Sequence, residues 1–544
     1  MSALHLFVLL LSFYLTRRFL VRRRQDTRLL PGPSTKIASW IWGHELEVFH
    51  GEAAEVYSRW MYIYGPLFKI KAALFHSDII VAGDHAAVQH IFADSINYVK
   101  SPAFRPPIAN LLGKGLVWAE GEDHAHQRRL LSPAFTPESV KGMADVISEC
   151  AEKLESRLTN LALSNGGEAT LNIVPYMSSC TLDIIGLVAF GHDFQSSSSP
   201  SPPPSPSPSS PSSTSAHNSD AEDIHASWHT HVNTGLTFGA FLAPLVLRAV
   251  PLITSLPVKA IQAQGEIKGI VGRIARRLVE QGGVNRRGGN ILSVLMRAQA
   301  MEKGSGGGGL TTSQIIDNIS TFTMVGHETT AGTLNFTLLE LARNPSVQQK
   351  LRDEVVRRGR DLAYDDVQKL EYLDAVVKEG LRLHPASPQT ERVALKDDVL
   401  PLHTPIKTPD GKALTSLCIK KGQVFHIPFT AIQTNPRVWG PDAAEFKPER
   451  WMGEGGEGGS GLPPPNELPH GWSNLVAFCD GPRSCIGYRL AVFEAKVILA
   501  TLVRALEFRA TDAVVRRKIS PTLQPVTDGK GGVLPLHISL AMQT

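Results

Sequence analysis

A cysteine near the C-terminus lies in a sequence context that favours a ligand thiolate. Cys485 belongs to the segment FCDGPRSCIG, residues 478–487. Gly481 and Pro482 predict a turn, and the residues after Gly487 predict a helix, so Cys485 lies at a helix N-terminus. Backbone N–H groups and the helix dipole stabilise a thiolate there, and Arg483 adds a nearby positive charge. The segment therefore predicts a cysteine that serves as a ligand.

Three other roles for this cysteine stay open on the residues alone. A buried structural cysteine is common, although that role requires neither the glycines nor the arginine. Cys479 and Cys485 could bind zinc together, although a six-residue step without paired histidines fits the usual zinc spacings poorly. A nucleophilic cysteine would need a partner base, and none is visible nearby in the sequence.

The same segment resembles the haem-binding loop of the cytochrome P-450 superfamily, Phe-x-x-Gly-x-Arg-x-Cys-x-Gly, at every fixed position. The resemblance implies that Cys485 is the axial thiolate ligand of haem b (iron-protoporphyrin IX), where an anionic sulfur favours O–O cleavage. It also implies that Phe478 packs near the sulfur and that Arg483 pairs with a haem propionate.

A charged pair on a predicted helix at 372–383 gains meaning from a downstream segment. Glu379 and Arg382 share one helix face, a spacing that is also common among surface ion pairs. Together with FKPERW, residues 446–451, they resemble the family's buried Glu-Arg-Arg network, with Arg450 as the third member. The resemblance implies a structural role in supporting the haem-loop face. A network of this kind loses much stability when one charge is removed.

The segment VGHETT, residues 325–330, resembles the family's oxygen-activation motif. The alternative is a solvated acid beside a threonine that bonds back to its own helix, but the neighbouring residues are apolar. The resemblance implies that Thr329 hydrogen-bonds dioxygen and that Glu328 relays protons. Val325 occupies a position where the family usually has alanine or glycine, which implies a tighter or shifted space above the haem.

Three more residues are implied by resemblance to bind the haem. The segment GEDHAHQRR, residues 121–129, resembles the family's propionate-binding helix, with Arg128 in its usual place and His124 where tryptophan is usual. A ring N–H of His124 could donate the same hydrogen bond, and a surface histidine is the alternative. Arg392 matches another propionate-binding arginine of the family.

The apolar periodicity predicts a mainly α protein with a minor β-sheet region. Long helices are predicted at 138–163, 265–280, 313–343 and 490–505, and short strands at 67–71, 78–82 and around 421–426. Hydroxyl side chains at 311–313 can cap the third helix, and Asn344-Pro345 ends it. The resemblance implies the cytochrome P-450 fold, with the haem between this long central helix and the cysteine loop with its helix.

Two parts are predicted along the chain: a membrane anchor with a basic flank at residues 1–27, and a haem-thiolate monooxygenase domain at residues 28–544. Residues 3–15 are apolar and five arginines follow by residue 24, the reverse order of a cleavable signal peptide. A helix packed on the protein's own core is the alternative. Serine and proline dominate residues 195–220, which predicts a disordered loop insertion within the second part.

Composition and resemblance together indicate function. The net charge of +4 argues against nucleic-acid binding, and five scattered cysteines argue against a disulfide framework. The resemblance implies a monooxygenase that inserts one atom of O₂ into an apolar organic substrate. Electrons would come from NADPH through NADPH-cytochrome P-450 reductase, with cytochrome b5 as a second candidate donor. The expected location is the endoplasmic reticulum membrane, with the catalytic domain facing the cytoplasm.

Two alternative functions accompany this reading. One is a haem enzyme that rearranges hydroperoxides, against which the Glu328-Thr329 pair counts. The other is a non-catalytic membrane haem protein, which an NADPH consumption assay would distinguish.

Overall fold

The computed structural model describes residues 26–541, apart from 75, 103, 199–219, 250–257, 282–289, 306–307, 360–362, 408–410, 412 and 454–460. The predicted anchor, apart from residues 26 and 27, and most of the predicted Ser/Pro insertion lie outside the described residues. What is described is mainly α-helical with four small sheets, as the sequence predicts.

The helices account for most of the described chain. In chain order the α-helices are Glu45–His50, Glu55–Tyr64, His85–Ala93, Arg105–Leu112, Gly121–Leu131, Pro137–Lys141, Ala144–Ser164, Val174–Ile185, Asp220–Gly235, Phe238–Ala249, Lys259–Glu280, Ile291–Ser305, Thr312–Arg343, Pro345–Arg358, Tyr364–Val367, Glu371–Leu383, Phe429–Gln433, Pro436–Trp439 and Tyr488–Ala505. Short 3₁₀ helices include Ser196–Ser198 and Gly481–Arg483.

The sheets are short and mostly antiparallel. One has five strands in the order Leu67–Ile70, Ile79–Ala82, Val424–Ile427, Thr390–Ala394 and Tyr98–Val99, with a parallel pair at its second and third strands. Two have three strands each, Arg516–Ile519 with Leu523–Thr527 and Lys530–Gly531, and Glu168–Asn172 with Pro535–Leu540 and Leu506–Ala510. A two-stranded sheet pairs Asp398–Lys407 with Ala413–Ile419.

The helix Thr312–Arg343, called the central helix below, passes through the larger apolar core, and most of its side chains are buried. It begins as predicted: Thr311 caps it, and Gln314 completes a capping box. The helices Val174–Ile185 and Lys259–Glu280 pack along it. A second apolar cluster surrounds the five-stranded sheet. The central helix is therefore fixed at both ends and along its length.

Two sequence-based boundaries are wrong. The helix predicted at 138–163 is two helices, because Gly142 ends the first at Lys141 and the second begins at Ala144. The insertion predicted at 195–220 is too wide at both ends. The carboxylate of Asp183 accepts the backbone N–H groups of Ser196 and Ser197, at 2.8 and 2.9 Å, which orders that end. The helix Asp220–Gly235 begins at the other end.

Within the described ranges, no single helix has both the length and the apolar composition needed to cross a membrane. A pair of helices bent by 77°, Asp220–Gly235 with Phe238–Arg248, meets both requirements only when taken together.

Candidate active site

The cysteine loop is a tight turn that requires its glycine. Gly481–Arg483 is a 3₁₀ turn capped by the side chain of Asp480. Gly481 has a φ of +62°, and a Cβ there would lie 2.5 Å from the carbonyl oxygen of Phe92, so only glycine fits. The N–H of Cys485 donates to the carbonyl oxygen of Phe478 at 2.8 Å. The loop backbone thus fixes the position of Cys485 just before the helix Tyr488–Ala505.

The Cys485 side chain is accessible at the surface of its loop. Burial nevertheless raises the pKa of the thiol, while the N–H of Gly487 and the charge of Arg128 act in the opposite direction. The net shift is upward because desolvation outweighs these two contributions. A backbone N–H group favours the thiolate as predicted, but the positive charge that does so is that of Arg128 and not that of Arg483. A cation facing the sulfur would reverse this balance, since a coordinated thiol is deprotonated.

A buried cluster of cations lies beside the loop and is only partly neutralised. Arg483 pairs with Glu120 at 2.6 Å, and Lys100 bonds the same carboxylate at 3.2 Å. Arg392 is buried and donates to the hydroxyl of Thr390. Burial and the charge of Arg483 lower the pKa of Lys100 to about 7. One carboxylate for three buried cations leaves room for further negative charge, and haem b, with two propionates, supplies it.

The segment 121–131 forms the helix that the resemblance implied, and it contacts the cysteine loop. The Arg128 guanidinium donates to the Ser484 carbonyl oxygen at 2.6 Å, one residue before Cys485. His124 is buried, so its reading as a surface residue is wrong. Burial and the neighbouring charges of Arg483, Lys100 and Arg128 lower the pKa of His124 to about 3. The ring is neutral at pH 7 and retains one N–H that can donate.

Aromatic residues pack against the loop. Phe478 makes an edge contact with Trp472 at 5.3 Å between ring centroids and a tilted contact with Tyr488 at 6.1 Å. Cys479 lies near Arg392, whose guanidinium nitrogen is 3.9 Å from its sulfur. Among the described residues no group of three or more histidine, cysteine, aspartate or glutamate side chains is placed to hold a metal ion, which argues against zinc shared by the two cysteines.

Glu379, Arg382 and Arg450 lie together and are fully buried. Two guanidinium nitrogens of Arg382 donate to the two carboxylate oxygens of Glu379, both at 2.8 Å, and the Nε of Arg450 lies 3.5 Å from Oε1. Two further partners escaped sequence analysis: Asp442, 3.2 Å from Arg450, and Trp451, whose ring N–H donates to Glu379 at 2.9 Å. Asp442 belongs to no recognisable motif, whereas Trp451 ends the segment that identified Arg450.

Comparisons with known proteins agree with this geometry. The family model described as Cytochrome P450 matches residues 31–531. The chain belongs to the cytochrome P450 family. It is 30% identical to the cytochrome P450 monooxygenase claQ of Ampulloclitocybe clavipes, over 95% of this chain and 94% of that protein. It is 29% identical to ganoderic acid synthetase of Ganoderma lucidum, over 94% of this chain and 93% of that protein.

This cytochrome P450 is therefore a haem-thiolate monooxygenase that acts on a small molecule and receives electrons from a redox partner. Several curated relatives carry the name monooxygenase, among them cytochrome P450 monooxygenase 205 of Postia placenta, 29% identical over 94% of this chain and 92% of that protein. These relatives favour the monooxygenase over the hydroperoxide-rearranging and non-catalytic alternatives. The loop and cation cluster fit the haem that the family binds.

The central helix of this cytochrome P450 borders a cavity of about 1000 Å³. This volume is at the upper end of small-molecule sites, about 300–1,000 Å³. Val325, Glu328 and Thr329 line the cavity together with apolar residues, among them Met324 of the same helix and Ile108, Leu111 and Leu112 of the helix Arg105–Leu112. The predicted acid–alcohol pair thus faces a space large enough for a sizeable substrate.

The hydroxyl of Thr329 is bonded within its own helix. It donates to the carbonyl oxygen of Val325 at 2.6 Å, the back-bonded arrangement that the sequence left as an alternative. The oxygen of this hydroxyl can still accept a hydrogen bond from a group in the cavity. Donation to such a group requires rotation of the Thr329 side chain.

Glu328 is buried and held ionised by its neighbours. Burial acts to raise its pKa, but His327 and the Ser178 hydroxyl together lower it below the usual value. Ser178 donates to Oε1 at 2.9 Å, and Nε2 of His327 lies 3.1 Å from the same oxygen. Ser178 was not singled out from the sequence because it lies on another helix, and His327, although adjacent to Glu328, was assigned no role there.

Proposed function

We propose that this cytochrome P450 is a membrane-attached enzyme that takes electrons from NADPH through an NADPH-cytochrome P450 reductase. The haem, when bound, activates O₂ so that one atom enters the substrate and the other leaves as water. The observation that carries the haem-dependent activity is the accessible Cys485, held by its loop beside a cation-rich cluster. The apolar run and arginines within residues 1–27 support attachment at the endoplasmic reticulum, with the catalytic domain in the cytoplasm.

Each group at the site has a distinct role in this proposal. Cys485 ligates the iron, and Arg392 and Arg483 bind the propionates, with His124 donating to the same group. Arg128 positions the loop through its bond to the Ser484 carbonyl. Phe478 covers the loop with its ring. Glu328 supplies protons and Thr329 provides a hydroxyl at the oxygen site.

The electron source and the anchor can be tested in one experiment. Full-length protein and NADPH-cytochrome P450 reductase, reconstituted in phospholipid vesicles, are expected to consume NADPH in an oxygen-dependent manner.

Deletion of residues 1–27 should release the protein from the vesicles in a flotation assay, because the apolar run is lost. The deletion should leave the haem absorption unchanged, since it removes only residues 26 and 27 of the described fold. A truncated protein that stays bound to vesicles would contradict the anchor.

The cavity wall also suggests what the substrate carries. Glu391 lines the cavity, and its Oε2 bonds Nε2 of His426 at 3.2 Å, while Nδ1 of His426 bonds the Tyr57 hydroxyl at 2.7 Å. Within the part of the chain that the structure describes, no hydrogen bond reaches the other carboxylate oxygen of Glu391, which is buried. His426, Arg248 and Ser101 keep the pKa of Glu391 low despite burial. A buried anionic acceptor favours a large apolar substrate that bears a hydrogen-bond donor such as a hydroxyl group.

Glu391→Gln is expected to weaken binding of hydroxylated compounds by about tenfold or more, because a hydrogen bond to a charged acceptor contributes about 1.5–3 kcal/mol. The measurement is a Soret-shift titration with polycyclic alcohols and their methyl ethers. Wild type should prefer the alcohols, and Glu391→Gln should lose that preference. Glu52→Gln serves as a matched control, since Glu52 lines the same cavity but pairs with Arg517. Equal affinity of the wild type for alcohol and ether would contradict this substrate class.

A further inference from the structure

A chain of polar side chains leads away from Glu328 and includes none of the haem-binding groups named above. Ser178, on the helix Val174–Ile185, donates to Glu328, and its hydroxyl oxygen lies 3.5 Å from Nδ1 of His225. Nε2 of His225, on the helix Asp220–Gly235, is 2.7 Å from the hydroxyl of Ser196. His225 is half-buried, so the chain reaches from a buried acid to a partly accessible ring.

The pair of His327 and Glu328 must hold a proton. Nδ1 of His327 lies 2.8 Å from the carbonyl oxygen of Thr323, which can only accept, so Nδ1 carries a hydrogen. Nε2 then faces the Glu328 carboxylate at 3.1 Å. Two bare lone pairs at this distance in a buried place would repel, so the space between Nε2 of His327 and Oε1 of Glu328 is a position for one proton. His327 is fully buried, and this proton has no direct route to bulk water through that ring.

His225 has the properties of an intermediate carrier. Burial and the nearby His327 lower the pKa of His225 to about 4, so the ring is neutral at pH 7 and has one donor and one acceptor nitrogen. Ser196 is held next to it because its backbone N–H bonds Asp183. Nδ1 of the ring faces the Ser178 hydroxyl, and Nε2 lies near the hydroxyls of Ser196, at 2.7 Å, and Ser179, at 3.4 Å.

We propose that Ser178 and His225 form a proton relay that reloads the His327–Glu328 pair during turnover. This inference rests on the proposed function, in which Glu328 supplies protons at the oxygen site. The Ser178 hydroxyl gives its proton to Glu328 and takes one from Nδ1 of His225. The ring gains a proton at Nε2 from the Ser196 hydroxyl, which water reprotonates. The ring is then the Nε2–H tautomer, and a ring flip together with rotation of the hydroxyl groups restores the starting arrangement. Closing the 3.5 Å gap between Ser178 and His225 requires only a small side-chain rotation.

The test uses the full-length haem protein with NADPH-cytochrome P450 reductase in vesicles. Ser178→Ala is expected to slow NADPH oxidation about tenfold or more, because a positioned proton-transfer group typically contributes at least about 10²-fold when proton transfer limits the rate. The solvent isotope effect, measured in H₂O and D₂O, should increase. His225→Gln should behave in the same way. Ser178→Thr, which keeps the hydroxyl, should restore the rate.

Thr230→Ala is the control, since the Thr230 hydroxyl lies on the same helix as His225 but donates to the Ala226 carbonyl oxygen of that helix at 3.0 Å. Its rate and isotope effect should stay within twofold of wild type, because the substitution leaves the proton relay intact. A Ser178→Ala protein with an intact thiolate spectrum and the rate and isotope effect of Thr230→Ala overturns the relay alone. A wild-type protein with the thiolate spectrum and no NADPH oxidation overturns the proposed electron supply and the relay with it.

Discussion

Cys485→Ser is expected to abolish the long-wavelength absorption band of the reduced, carbon-monoxide-bound protein and to reduce NADPH-supported oxidation to background. An anionic sulfur is the source of both properties, and a serine hydroxyl is neither soft nor ionised at neutral pH. The loop should keep its shape, because the bond from the residue 485 N–H to the Phe478 carbonyl involves only backbone. The measurement is the carbon-monoxide difference spectrum, with haem content determined separately.

Cys479→Ser provides the matched control, six residues earlier in the same loop. Cys479 has a φ of +62° and contacts Arg392 through its sulfur, so its substitution should change stability slightly and leave the band in place. Loss of the band in Cys479→Ser together with its retention in Cys485→Ser would mean that Cys479, and not Cys485, is the ligand.

The loop was predictable because everything it needs lies in ten consecutive residues. Its turn depends on Gly481 and Pro482, and its helix begins directly after Gly487. The partners of Arg483 were not predictable in the same way. Glu120 and Lys100 come from segments more than 350 residues away along the chain, and only folding brings them to the loop. Neither belongs to a motif by itself.

The direction of a pKa shift was harder to predict than the position of the residue. The sequence indicates dipoles and a positive charge that favour the Cys485 thiolate, but it does not indicate how much water the fold removes, and desolvation decides the direction of the pKa shift. The same limit applies to His124, which the sequence could place either at the surface or at the haem. Its burial follows from packing between distant segments and not from its own helix.

Helix positions were predicted well where the apolar periodicity extends over many residues, and poorly where a single residue determines whether a helix is interrupted. The central helix has a capping box at one end and an Asn-Pro pair at the other, and both signals are local. The break near Gly142 costs little energy either way, because one glycine destabilises a helix interior by only about 1 kcal/mol. Tertiary contacts settle such cases. The hydrogen bond from Thr329 to its own helix is another example, since the sequence is compatible with a hydroxyl that bonds the helix and with one that points into the cavity.

Glu379→Gln is expected to have the second large effect, a loss of about 3–5 kcal/mol in the free energy of unfolding. The substitution keeps the size of the side chain but removes the charge that neutralises Arg382 and Arg450 inside the protein. It also replaces one acceptor oxygen by an amide donor that faces guanidinium and indole N–H groups. Arg382 in turn holds the backbone carbonyls of Gln433, Ala443 and Glu445 against its helix, so the segment before the cysteine loop should loosen.

Glu149→Gln is the matched control, because Glu149 forms an exposed pair with Lys153 one turn away. Such surface pairs contribute about 0–1 kcal/mol, so the same chemical change should leave stability nearly unaltered there. Urea-unfolding midpoints and haem retention measure the difference. Arg382→Lys keeps the charge but loses the bidentate hydrogen bonding to Glu379, so its unfolding midpoint should lie between those of Glu379→Gln and Glu149→Gln. Equal midpoints for Glu379→Gln and Glu149→Gln would mean that the buried network does not stabilise this fold.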